Sequence, residues 1–129
     1  MIVAVCVDDH LGMQFNRRRQ SKDAALRAKL LELSGGTLRM SGYSAKQFDC
    51  PVYAGEDYLS GAQSGEFCFC ENTDYLEFAG RIEKLLLFRW NRVYPADVHF
   101  TFPGEWRMTA AEEFPGSSHE TITMEVYEP

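Results

Sequence analysis

The residues best equipped for chemistry cluster near the N-terminus. Arg17-Arg18-Arg19 is the one dense basic run in a chain of 129 residues. Guanidinium groups bind carboxylates and phosphates through paired hydrogen bonds. Two acids, Asp8 and Asp9, precede the run, and Asp23 follows it. Taken together, Asp8, Asp9, Arg17, Arg18, Arg19 and Asp23 describe a site for a small anionic or zwitterionic ligand. Each also has a plainer reading. The arginines could form a solvated loop offset by the acids. Asp8 and Asp9 could be turn residues bonded to their own backbone. Asp23 could be a first-turn acid serving a helix dipole.

A second constellation is Arg89-Trp90-Asn91-Arg92-Val93-Tyr94-Pro95. Arginines beside a tryptophan suit a protein contact, which makes Arg89, Trp90 and Arg92 candidates for binding a protein partner or a second copy of the chain. The alternative is a strand end whose Trp covers the sheet edge. Gly116-Ser117-Ser118-His119-Glu120 holds a serine and a histidine too close in sequence to act as nucleophile and base without a distant orienting group. The four cysteines are Cys6, Cys50, Cys68 and Cys70. They lack the two close pairs of a zinc site and read as reduced, packed thiols. No metal or cofactor is expected.

Composition narrows the classes. Apolar residues are 45% and charged residues 25%, ordinary for a folded protein of one domain, here residues 1–129. The net charge of −6 argues against nucleic acid as a partner. No apolar run is long enough to span a membrane. The apolar stretch from Met1 to Val7 has no basic flank and runs into Asp8-Asp9, so it reads as a buried strand rather than a signal peptide, and a cytoplasmic location follows.

The elements that must position these residues are legible in outline. Residues 1–7 form a nearly continuous β-branched run, the pattern of a strand covered on both faces. Residues 8–20 lack an apolar period and are expected to be a loop. Ser21 is the expected cap of a helix carrying Leu26, Leu30 and Leu33, ended by Gly35-Gly36. A short strand follows at 37–40. Ser44 is expected to cap a short helix through Phe48, with an extended piece at 51–53 and a helical turn at 56–62. A compact strand at 66–70 precedes a helix capped by Asn72 or Thr73 and stopped by Gly80. Leu85-Leu86-Leu87-Phe88 marks the strongest strand, and strands are expected over 97–102, 105–114 and 118–127. Helix and strand alternate early and strands alone follow, so the expected fold class is α/β: a mixed central sheet, parallel in its core and antiparallel at its C-terminal strands, flanked by helices.

That order resembles the dihydrofolate reductase family. The tail carries the closest match: Lys84-Leu85-Leu86-Leu87-Phe88, then Ala96-Asp97-Val98-His99-Phe100, Trp106, Glu112-Glu113-Phe114 and Thr123-Met124-Glu125-Val126-Tyr127-Glu128. Upstream, Phe67–Cys70 followed by Tyr75-Leu76-Glu77-Phe78 resembles a family strand and helix, and Val3-Ala4-Val5 to Gly12-Met13 resembles its opening. Residues 1–48 and 65–128 can be laid out this way, while 49–64 are shorter than the family's middle section. The resemblance implies that Asp23 matches the pterin-contacting acid.

The departures bear on activity. Where the family has a Gly-Gly pair against the cofactor pyrophosphate, this chain has Cys70-Glu71-Asn72. Where the family has Gly-Arg-x-Thr for the cofactor's phosphates, this chain has Gly42-Tyr43-Ser44-Ala45. The threonine that supports the pterin-binding acid falls on Phe88. The expectation is a chain of this fold without reductase activity, binding an unknown small molecule in the strand-end cleft. A ligand-free interaction module and an active NADPH-dependent reductase with an altered site are the alternatives. Val7-Asp8-Asp9, Arg89-Trp90-Asn91-Arg92 and Gly116–Glu120 also resemble a family of short bacterial proteins sometimes labelled ribonuclease Z. Three histidines, His10, His99 and His119, cannot supply that nuclease's metal cluster, so that activity is rejected.

Overall fold

Ile2, Val3, Val5 and Val7 are β-branched, and the strand they form lies at the centre of the molecule. The computed structural model describes residues 1–129. In chain order its strands are β1 (Ile2–Val7), β2 (Gly12–Phe15), β3 (Arg18–Arg19), β4 (Leu38–Met40), β5 (Tyr53–Ala54), β6 (Phe67–Phe69), β7 (Lys84–Arg89), β8 (Val98–His99), β9 (Arg107–Pro115) and β10 (Thr121–Glu128). Its helices are α1 (Ala24–Ser34), α2 (Gly42–Ala45) and a 3-10 stretch at Asp74–Arg81. Seven strands make one sheet in the order β5-β4-β6-β1-β7-β10-β9. β1 pairs parallel with β6 and β7, and β10 runs antiparallel to β7 and β9. This is the expected mixed sheet with an antiparallel C-terminal edge.

Burial on both faces explains the composition of the central strands. One face packs Val3, Val5, Val7, Cys68, Cys70, Leu85 and Leu87 under Tyr58, Leu59, Tyr75 and Phe100. The other packs Ala4, Leu86, Phe88, Ile122 and Met124 under Leu26 and Leu30 of α1. Alternate residues of one strand reach opposite faces, so β1 and the Leu85–Phe88 centre of β7 must be apolar, and they are. In β10 the residues on the α1 side, Ile122, Met124 and Val126, alternate with more polar neighbours, as a half-covered strand requires.

The caps depart from expectation by a residue or more. Asp23 rather than Ser21 caps α1, accepting from the N–H groups of Ala25 and Leu26. Ser41 rather than Ser44 caps α2. Gly35 ends α1 at φ 57°, a left-handed position glycine takes without a Cβ clash. Thr73 begins the 3-10 stretch without a side-chain bond, while Asn72 Oδ1 accepts from the Asp74 N–H at 2.9 Å. Residues 56–62 form turns, and the Gly61 N–H donates to the Asp57 carbonyl as one helical turn would. The last strand begins at Thr121, because 117–120 turn inward to meet Asp23.

The larger correction concerns residues 8–20. They do not form a loop. β2 and β3 pair as a hairpin, and β8 joins them in a second, three-stranded sheet. Only Val98–His99 of the expected 97–102 strand pairs, and it does so here. The hairpin lacks an apolar period because its strands are short and only Met13 reaches the core from them, so periodicity could not reveal it. Its two-residue turn is Asn16-Arg17, both at positive φ (53° and 62°), as a type I′ turn requires. Asn tolerates that conformation. Arg17 does so at a cost of about 1–2 kcal/mol.

A stability test follows. Arg17→Gly should relieve the left-handed strain while adding about 0.5–1 kcal/mol of unfolded-state entropy. The net expectation is a gain of about 0.5–1 kcal/mol in urea unfolding at an unchanged m-value. Loss of stability would show that the arginine side chain holds the turn.

Candidate functional site

Asp23 is buried, and its carboxylate is shared between two distant segments. Oδ1 caps α1 and accepts from the Ser117 N–H at 3.0 Å. Oδ2 accepts from the N–H groups of Ser118 (2.8 Å) and His119 (3.1 Å) and from His119 Nδ1 at 3.1 Å. Burial alone would raise its pKa. The Ser117 N–H, the His119 ring and the Ser118 and Leu26 N–H groups outweigh burial and hold it well below the usual carboxylate range. The resemblance makes Asp23 the match to a pterin-contacting acid; in the structure its carboxylate faces the 117–119 turn and lines no groove. Gly116 permits this approach. A Cβ there would lie 2.4 Å from the His119 carbonyl oxygen and 2.8 Å from Asp23 Oδ2.

His119, which sequence reasoning set aside, is the pivot of the site. With Nδ1 facing a carboxylate, Nε2 is left to accept from the Tyr94 hydroxyl at 2.8 Å. Trp90 stacks on the imidazole, centroids 4.5 Å apart and planes 21° from parallel. The missing signal was a partner: Asp23 and Tyr94 are 96 and 25 residues away.

Asp8 is also buried and structural. Oδ1 accepts from the His10 and Gly12 N–H groups at 2.8 and 2.7 Å, and Oδ2 from the Tyr94 N–H and Gln20 Nε2, both at 3.1 Å. Burial works against ionisation here too, yet the Gly12, Tyr94 and His10 N–H groups and Gln20 lower its pKa. Asp8 thus ties the end of β1 to both the hairpin and the 91–97 segment. Asp9 is exposed, and its backbone N–H donates to the Arg92 carbonyl.

The three arginines diverge. Arg17 and Arg18 are exposed and make no ion pair. Arg19 pairs bidentately with Glu71, Nε–Oε2 2.9 Å and Nη2–Oε1 3.1 Å, and its guanidinium lies 4.4 Å from the Tyr43 ring centroid. Glu71 also accepts from Ser44 Oγ at 2.8 Å and Gln47 Nε2 at 3.2 Å. Between this ion pair and Trp90 only about 10 Å³ is left, lined by Cys6, Met13, Arg19, Gln20, Ser21, Glu71 and Trp90. That is about one water's worth of space. The open concavity lies outside it. Phe15, Asn16, Arg18, Arg19, Gln20, Tyr94 and Pro95 line a groove of about 320 Å³. Of the six expected ligand residues, only Arg18 and Arg19 meet there.

The expected partner surface is not an aromatic patch. Trp90 is 3% exposed. Arg89 is held by Glu125 at 2.7 Å across the β7–β10 pair. Arg92 is exposed and, with Trp90, Asn91, Glu120 and Thr121, lines a second concavity of about 380 Å³ whose walls are mostly polar. Cys68 and Cys70 are buried on one face of the sheet, as their spacing implies, and burial raises both thiols, Cys68 to about 11. No cluster of three His, Cys, Asp or Glu side chains is placed to hold a metal ion. No helix is long and apolar enough to cross a membrane.

The two depressed aspartates dictate how stability depends on pH. A carboxyl whose folded pKa lies below its unfolded value of about 3.9 contributes stability that is present above that value. The contribution is lost as pH falls through the folded pKa. Thermal unfolding should therefore show a falling melting temperature on acidification below about pH 4. Asp23→Asn should cost about 3–5 kcal/mol at pH 7, because donors that met a carboxylate meet an amide. The variant should also show a flatter acid limb. An unchanged acid limb would mean that Asp23 does not carry the dependence.

No family profile matches the chain, and no curated protein matches its sequence. Among solved structures, a dihydrofolate reductase from Enterococcus faecalis, complexed with NADP(H) and RAB-propyl, superposes with a TM-score of 0.65 over 99% of this chain and 95% of that one. Only 13% of the aligned residues are identical. The likeness is one of fold, and this chain has the dihydrofolate reductase fold.

Proposed function

We propose that this chain binds a small anionic or zwitterionic molecule in the groove between the β2–β3 hairpin and the 94–97 segment, and that it does so without reductase activity. The observation that carries the proposal is the groove itself. Its volume of about 320 Å³ falls within the range of small-molecule sites. One wall presents Arg18, a cation with no ion-pair partner, and the others present the rings of Phe15 and Tyr94 beside the amides of Asn16 and Gln20. In a chain of net charge −6, the unpaired, exposed Arg17 and Arg18 make the rim of this hairpin locally positive. A planar carboxylate seated between an arginine and an aromatic ring fits these walls.

The case against reductase chemistry rests on what occupies the interior. Glu71, with its four hydrogen bonds, stands where the family has glycines against a pyrophosphate, and a carboxylate there repels phosphate. Phe88 is fully buried against Phe114 rather than offering a hydroxyl. Asp23 is committed to the 117–119 turn. The competing reading, a protein-interaction module, loses its aromatic anchor because Trp90 is covered. With reduced thiols and no membrane helix, the proposed setting is the cytoplasm.

Thermal melts test both halves. A ligand at about 100 times its dissociation constant adds about 2.7 kcal/mol, a shift of several degrees. Benzoate or inorganic phosphate in the millimolar range should raise the melting temperature, and NADPH in the micromolar range, with or without folate, should not. Arg18→Ala should abolish the anion shift while leaving the ligand-free melt unchanged, since the side chain is exposed and unpaired. A shift with NADPH, or its oxidation, would overturn the proposal.

A further inference from the structure

Tyr94 belongs to two structures at once. It lines the basic groove beside Arg18 and Arg19, and its hydroxyl donates to His119 Nε2 at 2.8 Å. Behind it the chain of hydrogen bonds runs inward from Nδ1 to Asp23 Oδ2 at 3.1 Å. A carboxylate only accepts, so the proton of the neutral ring sits on Nδ1 and the Nε2 lone pair faces the phenol. The Ser117, Ser118 and His119 N–H groups clamp the carboxylate, and Trp90 clamps the ring face. This is the logic of a hydroxyl, a base and an orienting acid, recognised by geometry rather than by sequence order. Ser118 does not fill the hydroxyl role, because its Oγ lies 3.4 Å from Nδ1, on the Asp23 side of the ring.

We propose that Tyr94 is the nucleophilic hydroxyl of a reactive centre, with His119 as its base and Asp23 as the group that orients the base, acting on a small carboxylate-bearing acyl compound held by Arg18. The proposal rests on the anion groove above and adds chemistry to it. The Tyr94 oxygen attacks the acyl carbon and forms the O–C bond, while its proton passes to His119 Nε2. The imidazolium, stabilised by Asp23, returns that proton to the departing group as the old acyl bond breaks. The product is an O-acyl tyrosine, which water activated by His119 then hydrolyses.

Two sulfonyl fluorides, whose S–F bond is replaced by O–S at a reactive hydroxyl with loss of fluoride, test this without knowledge of the substrate. One is 4-(fluorosulfonyl)benzoate, and the other is uncharged benzenesulfonyl fluoride. The modified tyrosine is located by peptide mass mapping. Tyr43 and Tyr53 are 42% and 44% exposed and serve as internal references. The expected result is that both probes sulfonylate Tyr94 faster than either reference in the unaltered protein. His119→Gln should slow this by at least about tenfold, toward the range that a lost general base costs, with Tyr43 and Tyr53 labelled as before. Arg18→Ala should slow the charged probe alone. Labelling ranked by exposure, or Tyr94 labelling unaffected by His119→Gln, would overturn the reactive centre. Labelling of Tyr94 by both probes at rates indifferent to Arg18→Ala would support the hydroxyl and refute the anion groove, so the two readings fail separately.

Discussion

The carboxylate of Asp23 is the joint on which the functional end of the molecule depends. It closes the first turn of α1 and, through the same two oxygens, gathers three consecutive backbone N–H groups 94–96 residues further along the chain. A helix cap is usually a local device, worth about 1 kcal/mol. Here it is also the tertiary tie between α1 and the β9–β10 hairpin. Because the charge is buried, every donor around it matters: each one lost exposes the remaining charge to desolvation that nothing offsets. The tightness of the clamp then fixes the tautomer of His119, the position of Trp90 upon it, and the direction of the Tyr94 hydroxyl.

Asp8 repeats the device at the end of β1. Its carboxylate organises the 8–12 turn, reaches the Tyr94 N–H and receives Gln20, so that β2, β3 and the 91–97 segment are fixed against the central strand. Gly12 lets these pieces approach: a Cβ there would meet Ala96 Cβ and Gln20 Nε2 at 2.6 Å. Tyr94 is thus held at its backbone by one buried aspartate and at its hydroxyl, through His119, by the other. Two acids that a sequence presents as candidate ligands are the framework that positions a third group.

The strand-end crevice of this fold is filled from within and reopened at its rim. Inside, the Arg19–Glu71 pair, Met13 and Trp90 occupy the space and leave only a water-sized gap. Outside, the β2–β3 hairpin carries Arg17 and Arg18 past the sheet into solvent. Arg18 borders an exposed groove there, where an arginine costs little desolvation. Fold and site are separable in this way because the sheet is specified by apolar pairing, whereas the loops beyond the strand ends are free to change what they present.

The sequence by itself determined the sheet. The β-branched run at 1–7, the Leu85–Phe88 run and the alternation at 121–127 announce strands covered on two faces or one, because burial forces a period on the residue types. The switch from alternating helix and strand to strands alone dictated parallel pairing followed by an antiparallel edge. The basic cluster was also legible, since three consecutive arginines on an acidic chain stand out without coordinates, but which of them is paired and which is free was not. Other features were decided only by the tertiary structure. The hairpin at 12–19 has no apolar period because its strands are short and only Met13 reaches the core from them, so nothing in the pattern distinguishes it from a loop. Trp90 could be read either as a partner anchor or as a cover for the sheet edge, and the imidazole stacked on it decides for the buried reading. The aspartates face inward because backbone N–H groups from segments 86 and 94–96 residues away converge on them. A carboxylate's role is set by which donors surround it, and donors that distant in sequence are brought together only by the folded chain.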